Sequence, residues 1–357
     1  MSKEASMRVL VFEKIILMGG VSLLVFAAPA LSQEVPEAAP AWVQVGSTGF
    51  SGGYGQVLVP QTGGFLIFRQ YQANRKLELE LYEIGEEGDL VLTRRKSWPA
   101  GRVEPPDFES GAAAVWDGGE LVYVLLGAFE GYERSFFYVY NIHHDTWRRL
   151  ADTPGWQGAG DALAYVHREE GDFLYAFVGQ RTLQTKFLRY SVANDLWEEL
   201  QSPPDWVYTD DGAALVWVRD GYLYALQGSG FADMPTQSFA RFRLPDGPWE
   251  ALPPIPDPAG VNDGGSLAWD GGRYIYAISG GFDEKKKWKQ EASGKGFFRF
   301  DLELKEWEVL LPLPCPIGKY TGNRLAIVGR FLYLWQGTPK SWECGGNGIW
   351  RLEIISE

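Results

Sequence analysis

"DALAYVHREEGDFLYAFVGQRTLQTKFLRYSVANDLWEEL", residues 161–200, divides into short runs separated by turn residues. "DALAYV" leads through "HREEGD" into "FLYAFVG"; after "QRTLQT" come "KFLRYSV", the tight turn "AND" and "LWEEL". The runs are rich in β-branched and aromatic residues and bounded by Gly, Asp and Asn, and none carries the 3.6-residue apolar period of a helix. The stretch therefore predicts four short strands.

The same unit recurs along the chain. Trp42, Trp98, Trp147, Trp197, Trp249 and Trp307 stand at spacings of 56, 49, 50, 52 and 58 residues, mostly opening runs such as "WRRL", "WEEL", "WEAL" and "WEVL". A second series interleaves with the first: Tyr123, Tyr175, Tyr224, Tyr276 and Tyr333 each lie four residues before Gly127, Gly179, Gly228, Gly280 and Gly337. Self-similarity at about 50 residues is the mark of a repeat architecture built from one supersecondary unit.

Four strands per unit, a Gly after the second and a Trp opening the fourth, resemble the kelch repeat, and the resemblance runs over roughly residues 42–355. It implies an all-β fold, a six-bladed kelch-type β-propeller. The paired glycines of that pattern stand intact only at Gly280-Gly281, and the first unit has "FLIFRQY" where Tyr and Gly are expected. Five complete units end near Trp98, Trp147, Trp197, Trp249 and Trp307. A sixth, residues 320–355, stops before its fourth strand, while "AWVQV" stands unassigned at the other end. Strand 41–46 is expected to complete the last blade, which buries two sheet edges that would otherwise be open.

Composition limits what the protein does. A net charge of −13 argues against a phosphate-binding surface, so nucleic acid is not expected as a partner. Lys3, Arg8 and Lys14 precede an apolar run over 15–28 and the small-residue stretch "AAPALSQ", which reads as a signal peptide over 1–32. The run is shorter than the roughly 20 residues that span a bilayer. A single propeller domain over 33–357, with no membrane span after cleavage and a secreted or periplasmic location, is the expectation. Cys315 and Cys344 both fall in the last blade, and an oxidising compartment favours a disulfide between them over free thiols or a catalytic pair.

Strand alternation sorts the loops onto two faces. Loops between second and third strands share a face with the links between blades; both hairpins within a blade fall on the other. His143, His144 and His167 lie in those hairpins, so neither a Ser-His-Asp arrangement nor a His-rich zinc site has material at the channel mouth. No Ca loop of the D-x-[DN]-x-[DN]-G type occurs, and neither a metal nor a cofactor is expected.

The mouth instead receives carboxylates and aromatics from "PPDFESG", "PGWQGAGD", "PPDWVYTDDG", "PAGVNDGG" and "GKYTGNR". These place Asp107, Phe108, Glu109, Trp156, Asp161, Trp206, Tyr208, Asp210, Asp211, Asp263, Tyr320 and Arg324 near one rim, with Lys319 beside Arg324. The structural alternative is that the acids satisfy turn N–H groups and the rings pack between blades. As a site, Trp156, Asp161, Trp206, Tyr208, Asp210, Asp211, Asp263, Tyr320 and Arg324 suit a carbohydrate, because ring faces stack on sugar C–H surfaces while carboxylates take hydroxyls. A protein partner is the companion expectation, with Lys285, Lys286, Lys287, Trp288 and Lys289 on an inserted loop of the same face. The enzymatic alternative is a sugar epimerase, mutarotase or lyase, for which Asp210, Asp211 and Asp263 are the acid-base candidates.

Overall fold

Why the unit makes a blade is visible at its turns. Asp145, Asp195 and Lys305, each two residues before a repeat Trp, take left-handed φ values of 57°, 49° and 56° at the tip between third and fourth strands. At the other end Gly127, Gly228 and Gly280 have φ of 69°, 76° and 61°. A side chain at Gly228 or Gly280 would meet backbone, with the Asp263 carbonyl 2.1 Å from a Cβ built on Gly280. At Gly228 and Gly280 the repeated glycine is therefore required by both conformation and space.

The computed structural model describes residues 41–48, 56–70, 75–99, 107–109, 111–127, 136–158, 160–180, 183–230, 234–280, 294–317, 324–336 and 348–354. Among these there is no helix. Blade 1 contains β2 (Val57–Gln61), β3 (Gly64–Gln70), β4 (Leu77–Ile84) and β5 (Leu90–Trp98). Blade 2 contains β6 (Ala113–Trp116), β7 (Leu121–Leu125), β8 (Phe137–Asn141) and β9 (Thr146–Arg149). Blade 3 is β10 (Ala162–Arg168), β11 (Gly171–Gln180), β12 (Leu183–Ser191) and β13 (Leu196–Leu200). Blade 4 is β14 (Ala214–Trp217), β15 (Tyr222–Leu226), β16 (Phe239–Arg243) and β17 (Trp249–Leu252). Blade 5 is β18 (Ser266–Trp269), β19 (Tyr274–Ile278), β20 (Phe297–Asp301) and β21 (Glu306–Val309). Blade 6 takes β22 (Leu325–Val328), β23 (Phe331–Trp335) and β24 (Gly348–Glu353) from the end of the chain and β1 (Val43–Ser47) from its beginning.

The result is a six-bladed β-propeller of four-stranded antiparallel sheets, sealed as the sequence requires. β1 pairs with β24 from Val43 opposite Arg351 to Ser47 opposite Gly348, with a bulge between Gln44 and Gly46. The inner strands β2, β6, β10, β14, β18 and β22 touch in cyclic order, β22 returning to β2. Side-chain alternation along each strand sends successive residues to the two flanking blades, so the core lies in six layers between neighbouring sheets.

The tryptophans organise four of those layers. Phe137, Phe187, Phe239 and Phe297, on third strands, meet Trp197, Trp249, Trp307 and Trp42 of the next blade at 5.0, 4.9, 4.9 and 5.4 Å between ring centres. The indole N–H groups of Trp197, Trp249 and Trp307 donate to Ala151, Gln201 and Pro253 carbonyls just beyond the fourth strand of the preceding blade. Trp42 thus fills the slot that its spacing assigned to it. Trp98 does not: it ends β5 opposite Leu77, instead of opening the strand, and packs on Tyr140 and Trp147 of blade 2. In blade 1 the equivalent stretch is Leu90 to Leu92, so the first unit departs from the Trp pattern as well as the Tyr-Gly one.

Cys315 is buried in the link between blades 5 and 6. Cys344, Lys319, Tyr320, the inserted loop at 285–289 and the signal segment lie outside the described residues.

Candidate functional site

The leads into the inner strands share one turn. Glu109, Asp210 and Asn262, each four residues before an inner strand, donate their backbone N–H to the carbonyls of Leu126, Ser229 and Ser279 at the exit of the second strand. Two residues later Gly111, Gly212 and Gly264 have φ of 75°, 86° and 85°. The turn is closed by N–H bonds from Ala112, Ala213 and Gly265 back to Glu109, Asp210 and Asn262. "ESGA", "DDGA" and "NDGG" are thus variants of one structural element.

The lead into blade 3 packs on the blade 4 turn, and that turn packs on the one in blade 5. A Cβ on Gly160 would lie 2.1 Å from the Asp210 carbonyl oxygen, and one on Gly212 would lie 2.1 Å from that of Asn262. Glycine lets these three leads meet backbone to backbone along one arc, and it brings the Asp210 carboxylate within electrostatic reach of Asp161. Asp161, Asp210 and Asp263 are buried there, with Asp211 and Tyr208 partly exposed beside them.

Asp161 has the most unusual setting. It is 6 % exposed; its Oδ1 accepts from the Gly158 N–H at 2.9 Å, while Oδ2 is buried without a hydrogen-bond partner. Burial pushes its carboxyl well above the usual range, and the Asp210 carboxylate from the next blade adds to the rise. The N–H groups of Gly158 and Gly179 oppose it without cancelling it. In the link to blade 4, Thr209 and Thr185 bond to each other at 2.9 Å, and the Gln227 amide donates to the Tyr208 carbonyl.

The remaining rim residues divide between exposed and structural places. Trp156 is 41 % exposed on the same loop face. Trp206 lies inside, against Phe177 and Trp249 in the layer between blades 3 and 4, and Phe108 lies inside against Phe68 and Trp147. These two rings are therefore packing residues, because the proline-rich links dip between blades instead of staying on the surface. Asp107 and Glu109 are gripped by Arg75, which sequence reasoning missed; it belongs to blade 1 while the acids belong to the next link, so no local motif joins them. Arg324 stands at the lead into β22, fully buried. A groove of about 340 Å³ is lined by Thr185, Lys186, Glu199, Ser202, Trp206 and Val207, and none of the acids of the arc lines it.

The histidines are on the opposite face, at hairpin tips. His143 and His144 donate their backbone N–H groups to the Asn141 side chain, a turn-forming arrangement. His167 Nδ1 pairs with Asp172 Oδ1 at 2.6 Å across the β10–β11 hairpin. Among the described residues no cluster of His, Cys, Asp or Glu has the geometry to hold a metal ion.

No family model matches this sequence, and no curated protein does either.

Proposed function

We propose that the protein is an exported, kelch-like propeller that binds a carbohydrate on its loop face, at the arc formed by blades 3, 4 and 5. One observation carries this reading: Asp161 presents a buried carboxyl oxygen that makes no hydrogen bond of normal geometry, beside Asp210 of the next blade. A buried polar atom left open is costly, and a ligand hydroxyl reaching Oδ2 would offset that cost. Asp211, Tyr208 and the exposed ring of Trp156 supply the acceptors and the stacking face that a polyhydroxylated ligand uses. The segment at 1–32, with Lys3, Arg8 and Lys14 ahead of an apolar run, supports export.

Thermal-shift screening of the protein lacking residues 1–32 against a panel of neutral and acidic sugars tests this. A ligand-induced rise that disappears in Asp211→Ala and Trp156→Ala is the expected result; no shift from any sugar sinks the carbohydrate reading and leaves a protein partner on that face.

A second reading follows from the same pair of acids. A carboxyl raised by burial next to another carboxylate is the arrangement used for proton transfer, so a sugar epimerase, mutarotase or lyase activity would employ Asp161 as acid and Asp210 as base. Turnover of a sugar followed by proton NMR, abolished by Asp161→Asn, would establish it.

A further inference from the structure

The layer between blades 6 and 1 carries buried charged groups beside its aromatic rings. Its blade 1 side carries Glu78 and Glu80 on β4, both buried, and each is answered: Glu80 accepts from Arg69, Arg95 and Tyr82, and Glu78 from Arg69 and Lys76. Arg324, facing this layer from blade 6, takes no part in that network. Its guanidinium lies 5.1 Å above the Trp335 ring, and Nη1 donates to the Trp335 carbonyl at 3.3 Å. Nε and Nη2 are buried and have no partner. Burial alone pushes this guanidinium down to about 9, with no carboxylate opposing the fall.

The open edge is the one this protein uses elsewhere to hold carboxylates. Arg69, Arg95, Arg149 and Arg273 grip Glu78, Glu80, Asp152 and Asp301 through the Nε and Nη2 pair. At Arg69, Arg95 and Arg273 both donors reach one carboxylate oxygen, and at Arg149 they span the two, so the same edge suits a carboxylate in either mode. The arginine is also out of place as packing. Aligned on the repeat tyrosines, its position in the other inner strands is Ala113, Ala162, Ala214 and Ser266. A buried, uncompensated cation destabilises a fold, so a residue of this kind points to an anion from outside.

A second open group faces the same layer. Leu58 of β2 packs toward blade 6, and strand alternation puts Gln56, two residues earlier, on the same side. The side chain of Gln56 is buried and its Oε1 has no partner, so it requires a donor.

We propose that Arg324, Gln56 and Trp335 form a binding site for a small hydroxy-carboxylate, the carboxylate on the Nε and Nη2 edge of Arg324 and the neighbouring hydroxyl donating to Gln56 Oε1. The site lies at the loop-face end of β22 and β2 and is separate from the arc of blades 3 to 5, so either can fail without the other.

The test uses lactate and D-glucuronate as probes, with propionate and D-glucose as controls lacking the hydroxyl or the carboxylate. Calorimetry and the Arg324 Nε–H resonance of ¹⁵N-arginine-labelled protein are the readouts. Lactate or D-glucuronate should bind and shift that resonance, and D-glucose should not shift it. Arg324→Lys, which cannot present a fork, should weaken binding about tenfold or more. Gln56→Leu should erase the preference for lactate over propionate. No binding of either hydroxy-carboxylate to the wild type, an unmoved Arg324 resonance, or unchanged affinity in Arg324→Lys would each overturn the proposal. The wild-type resonance decides the matter even where a variant is poorly folded.

Discussion

Gly118 and Gly212 have nearly the same backbone conformation, φ +89° and +86°, in unlike surroundings. A Cβ at Gly118 meets nothing within 4 Å, whereas at Gly212 it would lie 2.1 Å from a backbone oxygen of the next blade. Gly118→Ala should therefore cost about 1 kcal/mol, the left-handed penalty alone. Gly212→Ala should cost about 3 kcal/mol or more, because rigid backbone must also move; denaturant unfolding of the two variants measures the difference. Asp161 gives a pH prediction. Its folded carboxyl titrates above its unfolded value, so the stability it contributes is complete below the unfolded value of about 4 and is lost as pH rises through the folded one. Asp161→Asn keeps an acceptor for Gly158 and removes the titration, so its melting temperature should exceed the wild type's near neutral pH and vary less between acid and neutral. A lower melting temperature in Asp161→Asn at neutral pH would show that the ionised form is the stabilising one. At this scale the sequence was readable where the requirement is local: Asn141 and the glycines belong to turns closed by neighbours in the chain. For Trp206 and Phe108 the sequence left two readings, ligand contact or packing between blades, and the structure takes the second, because whether an aromatic in a link points out or dips inward depends on the next sheet. Arg75 was invisible for the same reason, its acids lying in another repeat.

At the level of the strand, the fourth-strand tryptophan works as a clasp between blades, joining ring packing on one side to a hydrogen bond on the other. Trp249→Phe keeps most of the packing on Phe187 and Phe242 and loses the 2.9 Å bond to Gln201, so it should cost about 1–2 kcal/mol. Trp249→Ala loses both and should cost about 3–5 kcal/mol; equal losses in the two variants would refute the separation. This clasp explains why the repeat was legible from tryptophan spacing alone, and why Trp98 misled within it. Spacing reports recurrence, whereas register depends on pairing: Trp147, Trp197, Trp249 and Trp307 each sit opposite an aromatic of the third strand, while Trp98 sits opposite Leu77.

For the molecule as a whole, closure was the best-determined feature of the sequence, because a blade short of one strand and a spare strand at the opposite end admit one pairing. Removing residues 41–47 should leave the outer edge of β24 open and expose the layer behind Phe297. The expected outcome is a lower melting temperature, with a broadened transition and concentration-dependent association through the bare edge, read by calorimetry and size-exclusion chromatography. Reduction should act on the same blade: if Cys315 is bonded to Cys344, thiol treatment lowers the melting temperature and changes mobility on a non-reducing gel. The chemistry of the mouth was less legible, since Arg324 is unusual only when set beside the alanines and serine that hold its place in other blades.

Closure by β1 also imposes a timetable on the chain. Val43 pairs with Arg351, so one of the earliest strands to be made waits for one of the last. At ~5–20 residues per second that interval is roughly 15–60 s, far longer than a hairpin needs to form. Five blades can assemble from neighbours in sequence during that time, while β1 remains a strand without a sheet. Whatever occupies it in the interim, whether a chaperone or another nascent copy, competes with the final step of folding.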